Sequence, residues 1–192
     1  MDLKQILLDQ LSGSAADSLG SRNGLDASQT NSAMDSALTA ILSGLQQNVS
    51  SSDGANKLDK ALANDHNGSV LDDIVSSVGS AGTQADGTKI LSHIFGSKKG
   101  KVADSVAKDA GVSNAAAGDI LSTLAPIVLG QLGKQKQSGG LDAGGLMNIL
   151  LGQNTGQGNG GLGDVVSGMF TKKNAGILAL ILGFLKMFMA KK

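Results

Sequence analysis

The sequence predicts an all-α protein: an orthogonal array of short helices built from two internally duplicated four-helix units, followed by a hydrophobic C-terminal helix. Three observations predict it. Apolar residues recur three and four apart, as in Met34, Leu38, Ile41, Leu45 and Val49, which is a helical stripe and not strand alternation. Gly24 to Leu45 lies without a gap over Gly111 to Leu132, an offset of 87, so that Met34 falls on Leu121, Ile41 on Val128 and Leu45 on Leu132. Glycines, serines and aspartates fall between the apolar stripes, where helices stop and start.

The elements follow in order. Leu3, Ile6, Leu7 and Leu11 share one face of a first helix over residues 2–11, and Gly13 offers a stop. A short helix over Ala15 to Leu19 comes next. The longest helix of the first half opens near Asp26 or Ser28 and runs to Val49, and a fourth starts at Ser52 or Asp53 and carries Leu58, Ala61 and Leu62. Val70, Leu71, Ile74, Val75 and Val78 predict one extra helix, followed by a loop through Ser80 to Asp86. The second half repeats the run over Thr88 to Phe95, Ser97 to Ala110, Ser113 to Gly133 and Asp142 to Leu151. Gly96 and Gly111 stand where its helices should end, and Ser97 and Ser113 where side-chain oxygens can cap free amides. The single proline, Pro126, lies inside the strongest helical pattern and predicts a kink or break near Thr123 to Ala125.

The chain thus divides into a first helical unit over 1–64, a connecting turn and extra helix over 65–86, and a second helical unit over 87–151, the two units forming one globular domain. Six glycines among residues 152–163 predict a flexible linker, and 164–192 a hydrophobic helical segment.

Composition excludes several classes of function. The 192 residues carry no net charge, with 16 basic against 16 acidic side chains; every acid is Asp, and Arg22 is the one arginine. Cys, Trp and Tyr are absent, which removes disulfides, thiolate zinc sites and a cysteine nucleophile. A neutral chain with one arginine and four Phe lacks the basic footprint and stacking aromatics of a nucleic-acid binder, so no nucleic-acid partner is expected.

The local motifs carry little chemistry. Asp65-His66-Asn67-Gly68-Ser69-Val70 resembles the middle of a calcium-binding helix-loop-helix. With Gly68 at loop position six, however, Ala63 and Ile74 occupy the first and last ligand positions. A turn ended by Gly68 and restarted by a Ser69 cap explains the residues without a metal. His66 and His93, the only histidines, have no sequence-local carboxylate pattern of a triad or metal site, and His93 reads as a half-buried structural residue. Asp72 and Asp73 are neighbours that point apart on a helix, and so read as a solvated face. The segment Gly156 to Gly161 has neither the preceding strand nor the Gly-Lys-Ser/Thr ending of a phosphate loop. No catalytic, cofactor-binding or metal-ligating residue is therefore assigned, and the chain is expected not to be an enzyme.

The C-terminal segment differs. Ile177, Leu178, Leu180, Ile181, Leu182, Phe184, Leu185 and Phe188 occupy every face of one helix, and a helix apolar all round must be buried in a core, a partner or lipid. Lys172-Lys173 and Lys191-Lys192 flank it. Its sixteen residues, 175–190, reach about 24 Å, short of the roughly 30 Å of bilayer hydrocarbon. These residues form the expected interaction surface, for a second copy of the chain or for another protein, with weak membrane contact as the alternative. A small-ligand site between the two units is a weaker alternative. The N-terminus lacks the basic start and unbroken apolar stretch of a signal peptide, so a cytoplasmic location is expected. Membrane association, or export without a recognisable signal, is the alternative.

Ile90-Leu91-Ser92-His93-Ile94-Phe95-Gly96, Gly111-Val112-Ser113 and the run Leu124-Ala125-Pro126-Ile127-Val128-Leu129-Gly130-Gln131-Leu132-Gly133 together carry a resemblance. The sequence resembles the bacterial domain-of-unknown-function family numbered 937, related to the YidB-like proteins, over roughly Leu3 to Leu151. The segment Asp65 to Asp73 is similar to that family's middle turn. The resemblance implies an all-helical array in a bacterial protein, with no activity, cofactor or catalytic residue attached to it.

Overall fold

The computed structural model describes residues 3–139 and 142–152. Among the described residues there are nine α-helices and no strand. The first four are α1 (Leu3–Leu11), α2 (Ser14–Asn23), α3 (Ala27–Val49) and α4 (Ser52–Asn64). A short 3₁₀ turn (Ser69–Leu71) and α5 (Ile74–Gly79) lead into α6 (Ala81–Phe95), α7 (Lys99–Ala110), α8 (Asn114–Gly139) and α9 (Ala143–Gly152). The two long helices, α3 and α8, pack against each other at the centre, and one apolar core takes residues from all nine α-helices, α5 giving Val78 alone.

Local chemistry sets the helix ends. Asp26 accepts the Gln29 amide at 2.8 Å while the Gln29 side chain accepts the Asp26 amide at 3.2 Å, a reciprocal cap that starts α3. Ser113 caps α8 through the Ala116 amide at 3.1 Å, and Ser51 caps α4 through Gly54. Helices α2 and α7 end alike: Gly24 (φ 65°, ψ 31°) and Gly111 (φ 66°, ψ 34°) both take the left-handed conformation that glycine adopts without steric cost.

Burial repeats along the chain with the same regularity. Twelve of the thirteen buried residues of α3, from Thr30 to Leu45, have a buried counterpart 87 positions later in α8; the exception is Val49, opposite Lys136. Ala15, Leu19 and Gly20 of α2 correspond to buried Val102, Val106 and Ala107 of α7 at the same offset. Leu3, Leu7 and Leu11 of α1 correspond to buried Gly87, Leu91 and Phe95 of α6 at an offset of 84.

Several expectations are corrected. The second helix is twice the expected length, because nothing stops it before Gly24. The extra helix is divided, because Asp73 leaves helical geometry (φ −142°) and its side chain caps the Ser76 amide. The expected loop 80–86 is helical from Ala81: Ser80 caps it through the Thr83 amide, and Gln84 bonds to Asp119 on α8. Two glycines in this stretch, Gly82 and Gly87, weaken its intrinsic helix preference, and packing on α8 overrides that. Ser97 does not cap α7, which begins at Lys99 after a 3₁₀ turn. Nor does Ser69 cap the turn that follows Gly68; Asn67 accepts the Ser69 amide instead.

The expected break at Pro126 does not occur, since α8 is one helix from Asn114 to Gly139. A proline at 126 removes the donor for the carbonyl four residues back, Ser122. Gly87 of α6 makes its closest approach at this same carbonyl: a Cβ there would lie 1.6 Å from the Ser122 oxygen. Among the described residues α8 is also the helix long and apolar enough to cross a membrane, but 83% of its apolar window is buried inside the protein, so it is a core helix.

Candidate functional site

The interaction residues expected from the sequence, Ile177, Leu178, Leu180, Ile181, Leu182, Phe184, Leu185 and Phe188, lie outside the described residues, as do the Gly-rich stretch 153–163 and the rest of the C-terminal segment. The described body offers two polar constellations and several open grooves, one of them at the meeting of α1, α3 and α7.

The first constellation is built on Asp119 of α8. Its Oδ2 accepts from Arg22 Nη2 at 2.5 Å, from Arg22 Nε at 3.1 Å and from Asn23 Nδ2 at 2.9 Å, and its Oδ1 accepts from Gln84 Nε2. Arg22 also donates to the Thr123 hydroxyl at 2.6 Å and to the Val78 carbonyl. Helices α2, α5, α6 and α8 are thus joined through one carboxylate and one guanidinium, whose planar fork can serve several acceptors at once. Both oxygens of Asp119 are engaged by donors, so the group ties the four helices together as a clamp. In the sequence Arg22 stands out only as the lone arginine; its position facing Asp119, 97 residues away, has no local signal.

The second constellation is the turn that resembles a calcium loop. Asn67 accepts the Ser69 amide on its side chain at 3.1 Å and the Gln137 side chain on its carbonyl at 3.0 Å. The turn lies against the two glycines of the Leu124–Gly133 run. A Cβ on Gly133 would come 1.8 Å from the His66 carbonyl oxygen, and one on Gly130 would come 2.4 Å from Val70. Two of the segments that bear the family resemblance, 65–73 and 124–133, therefore touch, and the glycines of the second make room for the first. Nearby, Lys136 of α8 pairs with Asp59 of α4. His66 Nδ1 lies 3.9 Å from Asp86 Oδ2, a partner that the sequence alone did not pair with it. His93 is exposed, contrary to the half-buried position expected. Asp72 and Asp73 are exposed as expected, and the Asp73 carboxyl is held below its ordinary value by the Ser76 hydroxyl and then the Ser76 amide. Among the described residues no three His or Asp side chains gather closely enough to hold a metal ion.

The groove, about 560 Å³, lies where α1 and α3 meet α7, with Ser12, Asn31, Asp35 and Asp109 among its lining residues. It is open to solvent, and its wall is polar and apolar in about equal parts, with Leu8 and Met34 beside the polar groups. Asp109 already accepts from Ser36, and Asp35 pairs with Lys4 at 2.8 Å.

The family model described as Bacterial protein of unknown function (DUF937) matches residues 5–135. The chain belongs to this family. The DUF937 match runs from α1 into α8 and takes in the turn, the glycines beneath it and the Arg22–Asp119 clamp; it stops before α9. No curated protein and no solved structure matches the chain.

Proposed function

We propose that this DUF937 protein is a non-enzymatic module that works by protein contact, with the C-terminal segment 164–192 as the contact element and a second copy of the chain as the leading partner. One contrast carries the reading. Among the side chains described, Val75 is the only large hydrophobic left exposed, while the sequence places nine large apolar residues from Ile177 to Phe188. An apolar run of that size needs a cover, because contiguous exposed apolar surface is rare on soluble proteins unless it is used for binding. The engagement of both Asp119 oxygens by donors from neighbouring helices is consistent with a structural role for that group.

The test compares the full chain with a Leu178→Lys/Leu182→Lys variant by sedimentation velocity. The wild type is expected to run well above its 19.2 kDa monomer mass and the variant close to it. Equal masses for the two would remove the self-association reading. The lysine pairs at 172–173 and 191–192 favour a second reading, a short anchor at an anionic bilayer surface. Co-sedimentation of the full chain with anionic vesicles separates the two readings.

A further inference from the structure

We infer that the chain is a fused dimer: two copies of one four-helix unit, 3–64 and 81–152, joined across the α3–α8 contact, so that each unit presents a surface that fits the opposite unit of a second copy of the chain. This architecture is independent of the role proposed for the C-terminal segment.

The ground for it is reciprocity. In a twofold interface, if residue i of one copy meets residue j of the other, then j of the first meets i of the second. Here Arg22 of α2 donates to Thr123 of α8, and the positions equivalent by the 87-residue offset, Asp109 of α7 and Ser36 of α3, are bonded to each other as well. Helix α7 packs on α3 and, over a smaller contact, α2 packs on α8, while α9 packs on α3 as α4 packs on α8. At the far ends of the long helices, Gly44 of α3 sits against Ile94 of α6, and their counterparts Gln131 and Gln10 are paired at 3.4 Å.

The junctions within each unit agree bond for bond. Leu25 donates to the Gly20 carbonyl and Val112 to the Ala107 carbonyl, both at 2.9 Å. Thr30 donates to the Asp26 carbonyl and Ala117 to the Ser113 carbonyl, again both at 2.9 Å. Low-complexity helices can match in sequence by chance, but chance does not reproduce side-chain partners across an interface.

The match is not complete: α6 packs on α8 far more extensively than α1 packs on α3, and the connector, residues 65–80, has no counterpart. Apart from the 65–71 turn seated on α8, the connector has one fully buried apolar side chain, Val78, and leaves Asp72, Asp73, Val75 and Ser76 exposed. Weakly buried segments are the first to open. Fully extended, sixteen residues span about 53 Å, enough to carry the second unit of one chain onto the first unit of another. The surface used is the α3–α8 seam, the partner is a second copy, and the product is a dimer with exchanged halves.

Charge reversal at the seam tests this in the full chain. Arg22→Asp and Asp119→Arg each place like charges together within one chain. Exchange of halves between the two variants sets the introduced aspartate against the introduced arginine in one globule and restores Arg22 with Asp119 in the other. The two variants, carrying tags of different mass, are unfolded together in urea, refolded and weighed by native mass spectrometry. The 1:1 heterodimer is expected at ten times or more its share in a refolded mixture of two tagged wild types. Contact through the C-terminal segment alone would raise homodimers and heterodimers equally and would not meet this expectation. Lys136→Asp mixed with Asp59→Lys repeats the test at an independent seam contact, in case the first pair does not refold. Heterodimer shares no greater than wild type in both mixtures overturn the inference.

Discussion

Replacing Gly87 by alanine separates two opposing physical effects. Within a helix interior, Gly→Ala should stabilise by about 1 kcal/mol, since alanine has the better helix propensity. At Gly87 the new Cβ would lie 1.6 Å from the Ser122 oxygen and 2.6 Å from the Ser122 carbonyl carbon, whereas real contacts stay beyond 3.0 Å. Both atoms belong to backbone, so no side chain can rotate away, and α6 must move off α8 by roughly 1 Å. A gap of that size forfeits about a quarter to a half of the dispersion energy of the atoms concerned. Helices α6 and α8 form an extensive contact, so the loss falls on much of the second half of the core. Overpacking of this kind costs about 1–3 kcal/mol. The expected net effect is a loss of up to about 2 kcal/mol, or up to roughly 8 °C in Tm for a chain of this size. Gly100 in α7 is the control: a Cβ there meets nothing within 4 Å, so Gly100→Ala should gain about 0.5–1 kcal/mol. Urea unfolding followed by circular dichroism at 222 nm reads both variants. If Gly87→Ala proves as stable as Gly100→Ala, the close approach at Ser122 does not control this interface.

Three further outcomes follow from named contacts. Asp119→Ala should lower stability by about 1–3 kcal/mol, the usual range for losing hydrogen bonds to a charged group. The lower part of that range is expected, because Arg22 and Asp119 keep 30% and 18% of their side-chain surface in solvent. A variant as stable as wild type in urea would show that the clamp contributes no net stability. Asp26→Ala removes half of the cap on α3 and should cost about 1 kcal/mol, read by the same unfolding curves. The Asp73 carboxyl has its folded value depressed below 3.8, so its contribution is present above that value and fades as pH falls through the depressed one. Hydrogen exchange by mass spectrometry should therefore find the Asp73→Asn effect on α5 the same at pH 6 and pH 8 and reduced at pH 3; a change between pH 6 and pH 8 would contradict that assignment.

The sequence by itself determined the local structure. The three-and-four spacing in α3, the Asp26 and Ser113 caps and the glycine stops at Gly24 and Gly111 depend only on neighbours a turn away, and a turn is the range over which a helix makes its own bonds. The correspondence between the two halves was legible for the same reason: it is a statement about order along the chain. Tertiary structure alone decided the rest. Residues 81–86 are helical because α8 lies beneath them, although Gly82 and the polar side chains around it predict a loop. Pro126 leaves α8 unbroken, and the carbonyl it frees is where α6 comes closest. Gly130 and Gly133 read as ordinary helix-weakening residues until the 65–70 turn is placed against them. Arg22 finds Asp119, and His66 finds Asp86, across separations that no periodicity encodes. Close approach between helices is fixed by which faces meet in space, and that is settled only when the whole core packs at once.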